Sequence, residues 1–204
     1  MPIAPGVGAM AMFQFGDACL SVVPDGELKT MLDDCFVVTG GPCVGKTTLI
    51  AELSGLGHRV VHEMATEVIL EGQLLPWVNP AAFRQEVLNR QLKAEKNLPA
   101  GGRFAFLDRG AYDGVAYCVA TGVEVHPFLQ SVETERYRVV FVLEGPDFWV
   151  SDGIRYEDPA FTRTITPVLM RVYRDKGAKV VPVPFMPIED RLAFILGEVN
   201  HVCH

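Results

Sequence analysis

From Asp34 onward, short apolar runs alternate along the chain with stretches of helical period. Cys35 to Val38 reads as a buried strand ending at Thr39. Leu49, Leu53 and Leu56 then recur at i, i+4 and i+7, the stripe of an amphipathic helix that Gly57 closes. Arg59 to Val61 is a second short strand, and Met64 to Glu71 a short helix. Pro76 and Pro80 break the chain before a longer helix marked by Phe83, Val87, Leu88 and Leu92, running to about Asn97. Arg103 to Leu107 is the third strand, followed by a helix marked by Ala111, Val115, Cys118 and Val119. Tyr137 to Leu143 is the fourth strand. Ile165, Leu169, Val172 and Tyr173 mark the next helix, with Gly177 where a C-terminal cap belongs. Lys179 to Val183 is the fifth strand, and Pro182, which has no N–H to donate, places it at a sheet edge. Ile188, Leu192, Ile195, Leu196 and Val199 form the last helical stripe.

Alternating strands and helices, with strands apolar on both sides, predict a parallel sheet covered by helices on both faces. The expected architecture is an α/β three-layer sandwich with roughly five parallel strands. Its single domain would span 34–204, with 1–33 as an N-terminal extension in which Pro2, Pro5, Gly6 and Gly8 discourage regular structure. Ligands of such sheets lie at the carboxyl ends of the strands, which is where the polar motifs fall.

The 204 residues are 49% hydrophobic and 21% charged, enough to build a core without disulfide staples. Lysine and arginine number 18 against 25 acids, a net charge of −7. That balance argues against a nucleic acid as the main partner, because backbone binding needs a basic face. Five cysteines, none in a C-x-x-C pair, make a poor disulfide framework and a poor zinc site. No apolar run reaches the length of a membrane helix, and no basic residue precedes Lys29. The expectation is a cytoplasmic protein with reduced thiols and no membrane partner; a homodimer is compatible with the same features.

Gly40 through Thr47 reads G-G-P-C-V-G-K-T, matching G-x-x-x-x-G-K-[ST] at every fixed position. Glycines let the backbone wrap so that its N–H groups face phosphate oxygens, and the helix that starts there adds its positive end. Gly41, Pro42, Cys43, Val44, Gly45, Lys46, Thr47 and Thr48 are the expected nucleotide-binding residues. Lys46 would reach the β- and γ-phosphates, and the Thr47 hydroxyl would ligate magnesium. The preceding apolar strand and following amphipathic helix are the context that this motif requires.

The third strand ends in Asp108, as a Walker B strand does. An acid beside the phosphate loop would hold the magnesium shell through water, the alternative being a plain turn residue at a strand end. Arg109, which follows, suits either a phosphate or acceptor contact or a plain surface ion pair. Asp113 suits either the acceptor pocket or the positive end of its helix.

These elements resemble a P-loop AAA-like ATPase/kinase family that includes the ribosylnicotinamide kinase domain of the bacterial NAD regulator. The likeness runs over about 35–197. It begins with Phe36 to Thr39 and Gly45 to Leu49, continues with Val60, Val61, His62 and Glu63, and includes Leu107 to Gly110 with Asp113. It closes with Asp152 to Asp158, then Val181 to Pro184, Glu189 to Arg191 and Phe194 to Leu196. The resemblance implies that Glu63 faces the acceptor and orients or deprotonates its hydroxyl, with His62 structural; by its position alone Glu63 suits equally the acid of a helix N-terminus. It also implies a lid from Glu144 to Phe161 and a phosphoryl-stabilising role for Arg155. Arg163, Arg171 and Arg174 are further candidates for that role, but Arg163 and Arg174 point opposite Ile165 and Leu169, as a solvated helix face would have them. Trp77 and Trp149 suit either a ring-stacking surface or the core.

The implied activity is transfer of the γ-phosphoryl group of ATP or GTP, with Mg2+, to a hydroxyl of a small molecule, nucleoside-like or a specialised metabolite. Catalytic roles would fall to Lys46, Glu63, Asp108 and Arg155, and acceptor contacts to Glu63, Arg109 and Asp113. The alternative is a regulatory ATPase or GTPase switch acting through a protein partner. The absence of an N-K-x-D guanine-reading element counts against it. The net charge counts against a nucleic-acid-processing ATPase.

Overall fold

The computed structural model describes residues 35–72, 74–98, 104–134, 136–146 and 159–203. Residues 1–33, read as an extension, and Trp149, Arg155 and most of the segment read as a lid lie outside the described residues. Five parallel strands form one sheet in the order β2-β3-β1-β4-β5. They are β1 (Cys35–Gly40), β2 (Arg59–Val61), β3 (Ala105–Asp108), β4 (Val139–Leu143) and β5 (Lys179–Val183). Between them run α1 (Lys46–Gly55), α2 (Met64–Leu70), α3 (Pro80–Lys96), α4 (Asp113–Ala120), a short α5 (Pro127–Gln130) and α6 (Pro159–Asp175). Then α7 (Ile188–Cys203) closes the chain.

Side chains of a strand point alternately to opposite faces, and the core divides accordingly. Cys35, Val37, Leu107, Val140 and Val142 face one way, against Leu88 of α3, Ala116 of α4 and Ile165 and Leu169 of α6. Phe36, Val38, Phe106, Phe141 and Leu143 face the other, against Leu49, Ile50 and Leu53 of α1 and Ile195 and Val199 of α7. Both faces are therefore covered, and β1, in the middle of the sheet, is wholly buried. The edge position expected of β5 is observed, with Pro182 paired in register to Val142.

Several boundaries move. The third strand starts at Ala105 and takes in Asp108, because Val38 of β1 pairs in register with Asp108 and extends the ladder to it. The fourth strand starts at Val139; Tyr137 is withdrawn from it, its hydroxyl donating to Glu95 and accepting from the Ala111 N–H. The helix marked by Ala111 starts at Asp113, because Arg109 takes a left-handed conformation, φ 73°, and turns the chain first. Helix α5 has no apolar period long enough to announce it. Trp77 is 71% exposed, so it does not belong to the core.

Candidate active site

The carboxyl ends of β1, β2 and β3 lie side by side, and the polar residues gather there. The register Val38 to Asp108 sets the third-strand acid beside the residue two before the phosphate loop. The Arg109 N–H then donates to the Val38 carbonyl at 3.0 Å, which pins the start of the next turn to β1.

Residues 40 to 46 form the loop that the motif requires. Gly45 has φ 90° and serves as the N-cap of α1, and Cys43 has φ 57°. A non-glycine residue in the left-handed region costs roughly 1 kcal/mol, so something must hold Cys43 there. Two contacts from other elements do. The Thr162 hydroxyl of α6 donates to the Pro42 carbonyl at 3.2 Å, and Arg191 of α7 donates to the Val44 carbonyl. Gly41 is obligatory for the first: a Cβ there would stand 2.9 Å from the Thr162 Cα. Among the described residues, no acceptor takes the backbone N–H of Cys43, Val44 or Gly45. Such a row of unpaired donors at a helix N-terminus suits an anion.

Lys46 is 6% exposed and its Nζ donates to the Gly41 carbonyl at 2.6 Å, across the mouth of the loop. Burial, and then the Arg109 charge, lower its pKa to about 7 against the pull of Asp108, Glu63 and Asp113. Asp108 is 2% exposed, and its Oδ1 has no hydrogen-bond partner among the described residues. Burial pushes its pKa up to about 6, against the attraction of Lys46 and with the repulsion of Glu63. Thr47 and Thr48 are exposed on the first turn of α1.

Glu63 stands just before α2 without a side-chain bond to its backbone, and meets Arg109 across 46 residues of sequence, Nε to Oε1 at 2.5 Å; its Oε2 accepts from the Thr66 hydroxyl at 2.9 Å. Burial raises the Glu63 pKa, but the charge and hydrogen bond of Arg109 outweigh it, so the carboxyl stays below its ordinary value. Arg109 also donates to Asp113 Oδ2 at 3.1 Å and lies over the Tyr117 ring at 5.3 Å.

Asp113 is buried and fully engaged. Its Oδ2 also takes the Thr39 hydroxyl at 2.7 Å, and its Oδ1 takes the Tyr173 hydroxyl at 2.6 Å and the Gly110 N–H at 3.3 Å. Four donors occupy this carboxylate, so its geometry is that of an anchor for Arg109 and the turn after β3. Burial and the Asp113 charge push the Tyr173 phenol well up, which keeps it a neutral donor.

A second buried network holds the same turn from behind. Glu95 of α3 accepts from the Tyr137 hydroxyl at 2.6 Å, from Gln91 at 2.8 Å and from Arg136 at 2.7 Å. Gln91 in turn donates to the Arg109 carbonyl at 3.2 Å. Sequence reasoning missed Gln91, Glu95, Tyr137 and Tyr173. The available signal was a Gln and a Glu at i and i+4 on the apolar stripe of α3, where a charge is rarely buried unpaired. Arg155 lies outside the described residues, and Arg163, Arg171 and Arg174 are exposed on α6.

The sequence profile of the AAA domain family matches residues 35–191. Among solved structures, deoxyadenosine kinase from M. mycoides superposes with a TM-score of 0.60 at 14% identity, over 82% of this chain and 99% of that one. Thymidylate kinase from Candida albicans gives 0.53 at 15% identity, over 84% and 93%. A NadR protein in complex with NR gives 0.66 at 18% identity, over 84% of this chain and 52% of that one. At these identities the likeness is one of fold. A search of functionally curated proteins found no match.

Proposed function

The chain belongs to the AAA domain family, and on that footing we propose that it is a magnesium-dependent phosphotransferase, moving the γ-phosphoryl group of ATP or GTP to a hydroxyl of a small molecule. The observation that carries this reading is the joining of a phosphate loop to an ionised, arginine-held carboxylate: Lys46 on one side, Glu63 with Arg109 on the other, Asp108 between them in the electrostatic field of both. A nucleotide switch needs the first half. A hydroxyl acceptor gives a use to the second. The solved relatives named as kinases support the same class, and a nucleoside-like acceptor is the first choice among substrates.

The residues fit magnesium. Asp108 presents a buried oxygen without a donor, and Mg2+ is commonly held by one or two carboxylates plus substrate phosphates rather than by a protein cage. Among the described residues there is no cluster of three His, Cys, Asp or Glu side chains able to form such a cage. Thr47, and Asp108 through water, would hold the ion, which when bound neutralises charge on the phosphates.

The remaining work falls to side chains. Lys46 leaves the Gly41 carbonyl for the phosphates and gains a full charge as it does so. Glu63, kept ionised by Arg109, takes the proton of the acceptor hydroxyl as the hydroxyl oxygen bonds to the γ-phosphorus, and the bond from that phosphorus to the oxygen bridging to the β-phosphate breaks, releasing ADP or GDP. Asp113 and Glu95 act by keeping Arg109 in place. Arg155 is proposed to stabilise the transferring group.

The test is ADP or GDP formation across a panel of nucleosides, nucleoside-like alcohols and sugar alcohols. One acceptor that raises the rate many-fold, and phosphorylated product recovered with it, supports the reading. A slow rate indifferent to every acceptor, with a protein captured only in the triphosphate-bound state, would replace it with the switch.

A further inference from the structure

We propose that Arg191 is a positioning residue for the phosphate loop: by holding the Val44 carbonyl, it turns the Gly45 N–H of the same peptide toward the nucleotide's phosphates. The inference rests on the phosphotransferase reading only in taking the loop to bind a polyphosphate.

Arg191 sits in the first turn of α7 and is 2% exposed. Its guanidinium serves three carbonyls with three different nitrogens. Nη1 donates to Val44 O, Nη2 to Glu144 O at 2.9 Å and Nε to Pro184 O at 3.2 Å. Those carbonyls belong to the phosphate loop, the end of β4 and the turn after β5. One planar fork therefore ties together three loops at the carboxyl edge of the sheet. Among the described residues no carboxylate lies within 4.0 Å of it.

A buried cation with only neutral partners is costly, since it loses its hydration without gaining a counter-charge. Burial accordingly pushes the Arg191 pKa down, with Glu144 opposing. A glutamine or an apolar side chain would be easier to bury. What the arginine adds is a fixed positive charge directly behind the loop. Nη1 also stands 3.4 Å from where a Gly45 Cβ would be, so the contact is to the loop backbone itself.

The peptide geometry carries the effect forward. The structure has no cis peptide bonds among the described residues. In a trans unit the C=O and the N–H point to opposite sides. With the Val44 carbonyl held by Arg191, the Gly45 N–H faces away from α7, and among the described residues it has no acceptor. A guanidinium on the carbonyl also polarises the peptide and strengthens its N–H as a donor. Lys46 and Arg191 would then address phosphate from two sides, one directly and one through the backbone.

The experiment is direct titration of wild type, R191Q and R191K with Mg-ATP and with magnesium tripolyphosphate, which engages the loop without a base or sugar. Thermal unfolding serves as the control for fold, and acceptor KM is measured beside it. R191Q should stay folded and bind both polyphosphates at least tenfold more weakly, with acceptor KM unchanged. R191K, which keeps the charge but cannot reach three carbonyls, should fall between. R191Q with wild-type affinity for either polyphosphate overturns the proposal, as does a parallel rise in acceptor KM, which would mark a general structural role. If R191Q does not fold, R191K decides: reduced polyphosphate affinity supports the role, and wild-type affinity overturns it. A wild type that binds no triphosphate and no tripolyphosphate refutes the nucleotide reading itself, and the proposal with it.

Discussion

Asp108→Asn should make the metal-free protein more stable and inactive at once. The buried carboxyl titrates at about 6 instead of its ordinary 3.8, so the folded state binds this proton more tightly than the unfolded one. Between those two values the folded state holds more protons, and stability falls as pH rises through the window. Above it the charged, partnerless oxygen opposes folding by about 3 kcal/mol. Asparagine removes that charge. The attraction of Lys46 is already contained in that opposition, so the net gain is about 2–3 kcal/mol. For a domain of this size that corresponds to a rise in Tm of about 4–12 °C. Thermal unfolding followed by circular dichroism, in chelator, from about pH 4 to about pH 8, measures it. The gap between variant and wild type should open with rising pH and be nearly closed at about pH 4. A variant no more stable than wild type at about pH 8, or a gap equally large at about pH 4, would refute the reasoning. Magnesium-dependent turnover should be lost throughout, as expected of a strained group kept for function.

Lys46→Ala should bring turnover near background while the unfolding curve stays close to wild type; near-normal turnover in a steady-state assay would remove the phosphate-loop role. Glu63→Gln keeps the shape but not the charge that holds Arg109, so transfer should fall roughly 100-fold or more while triphosphate affinity, by titration, changes little; equal loss of both would mark a structural residue. Glu95→Ala leaves the Arg136 charge and the Tyr137 hydroxyl without their buried partner and should cost about 3–5 kcal/mol in chemical denaturation; a cost under about 1 kcal/mol would mean that water replaces the carboxylate.

The sheet was legible because its strands are short apolar runs between glycine and proline punctuation, and the helices because their stripes repeat locally. The loop before α1 was legible for the same reason: the residues proposed to hold the nucleotide are consecutive, Gly41 to Thr48, and glycine spacing is a local determinant of the backbone conformation observed there. Pro182 even located an edge, since a missing N–H is a local property with a global consequence.

The partners of the site residues were not legible. Arg109 reads equally well as a surface ion or a ligand until the sheet order β2-β3-β1 sets Glu63 and Asp113 against it. Asp113 resembles a pocket acid, yet four donors converge on it from Thr39, Arg109, Gly110 and Tyr173. Arg191 is one letter in a helical stripe, and only the fold brings it 147 residues back to the Val44 carbonyl. Local backbone preference is encoded residue by residue and can be read that way. Hydrogen bonding and desolvation of a buried charge depend on whatever the tertiary structure brings within about 3 Å of it, and that distance has no counterpart along the chain.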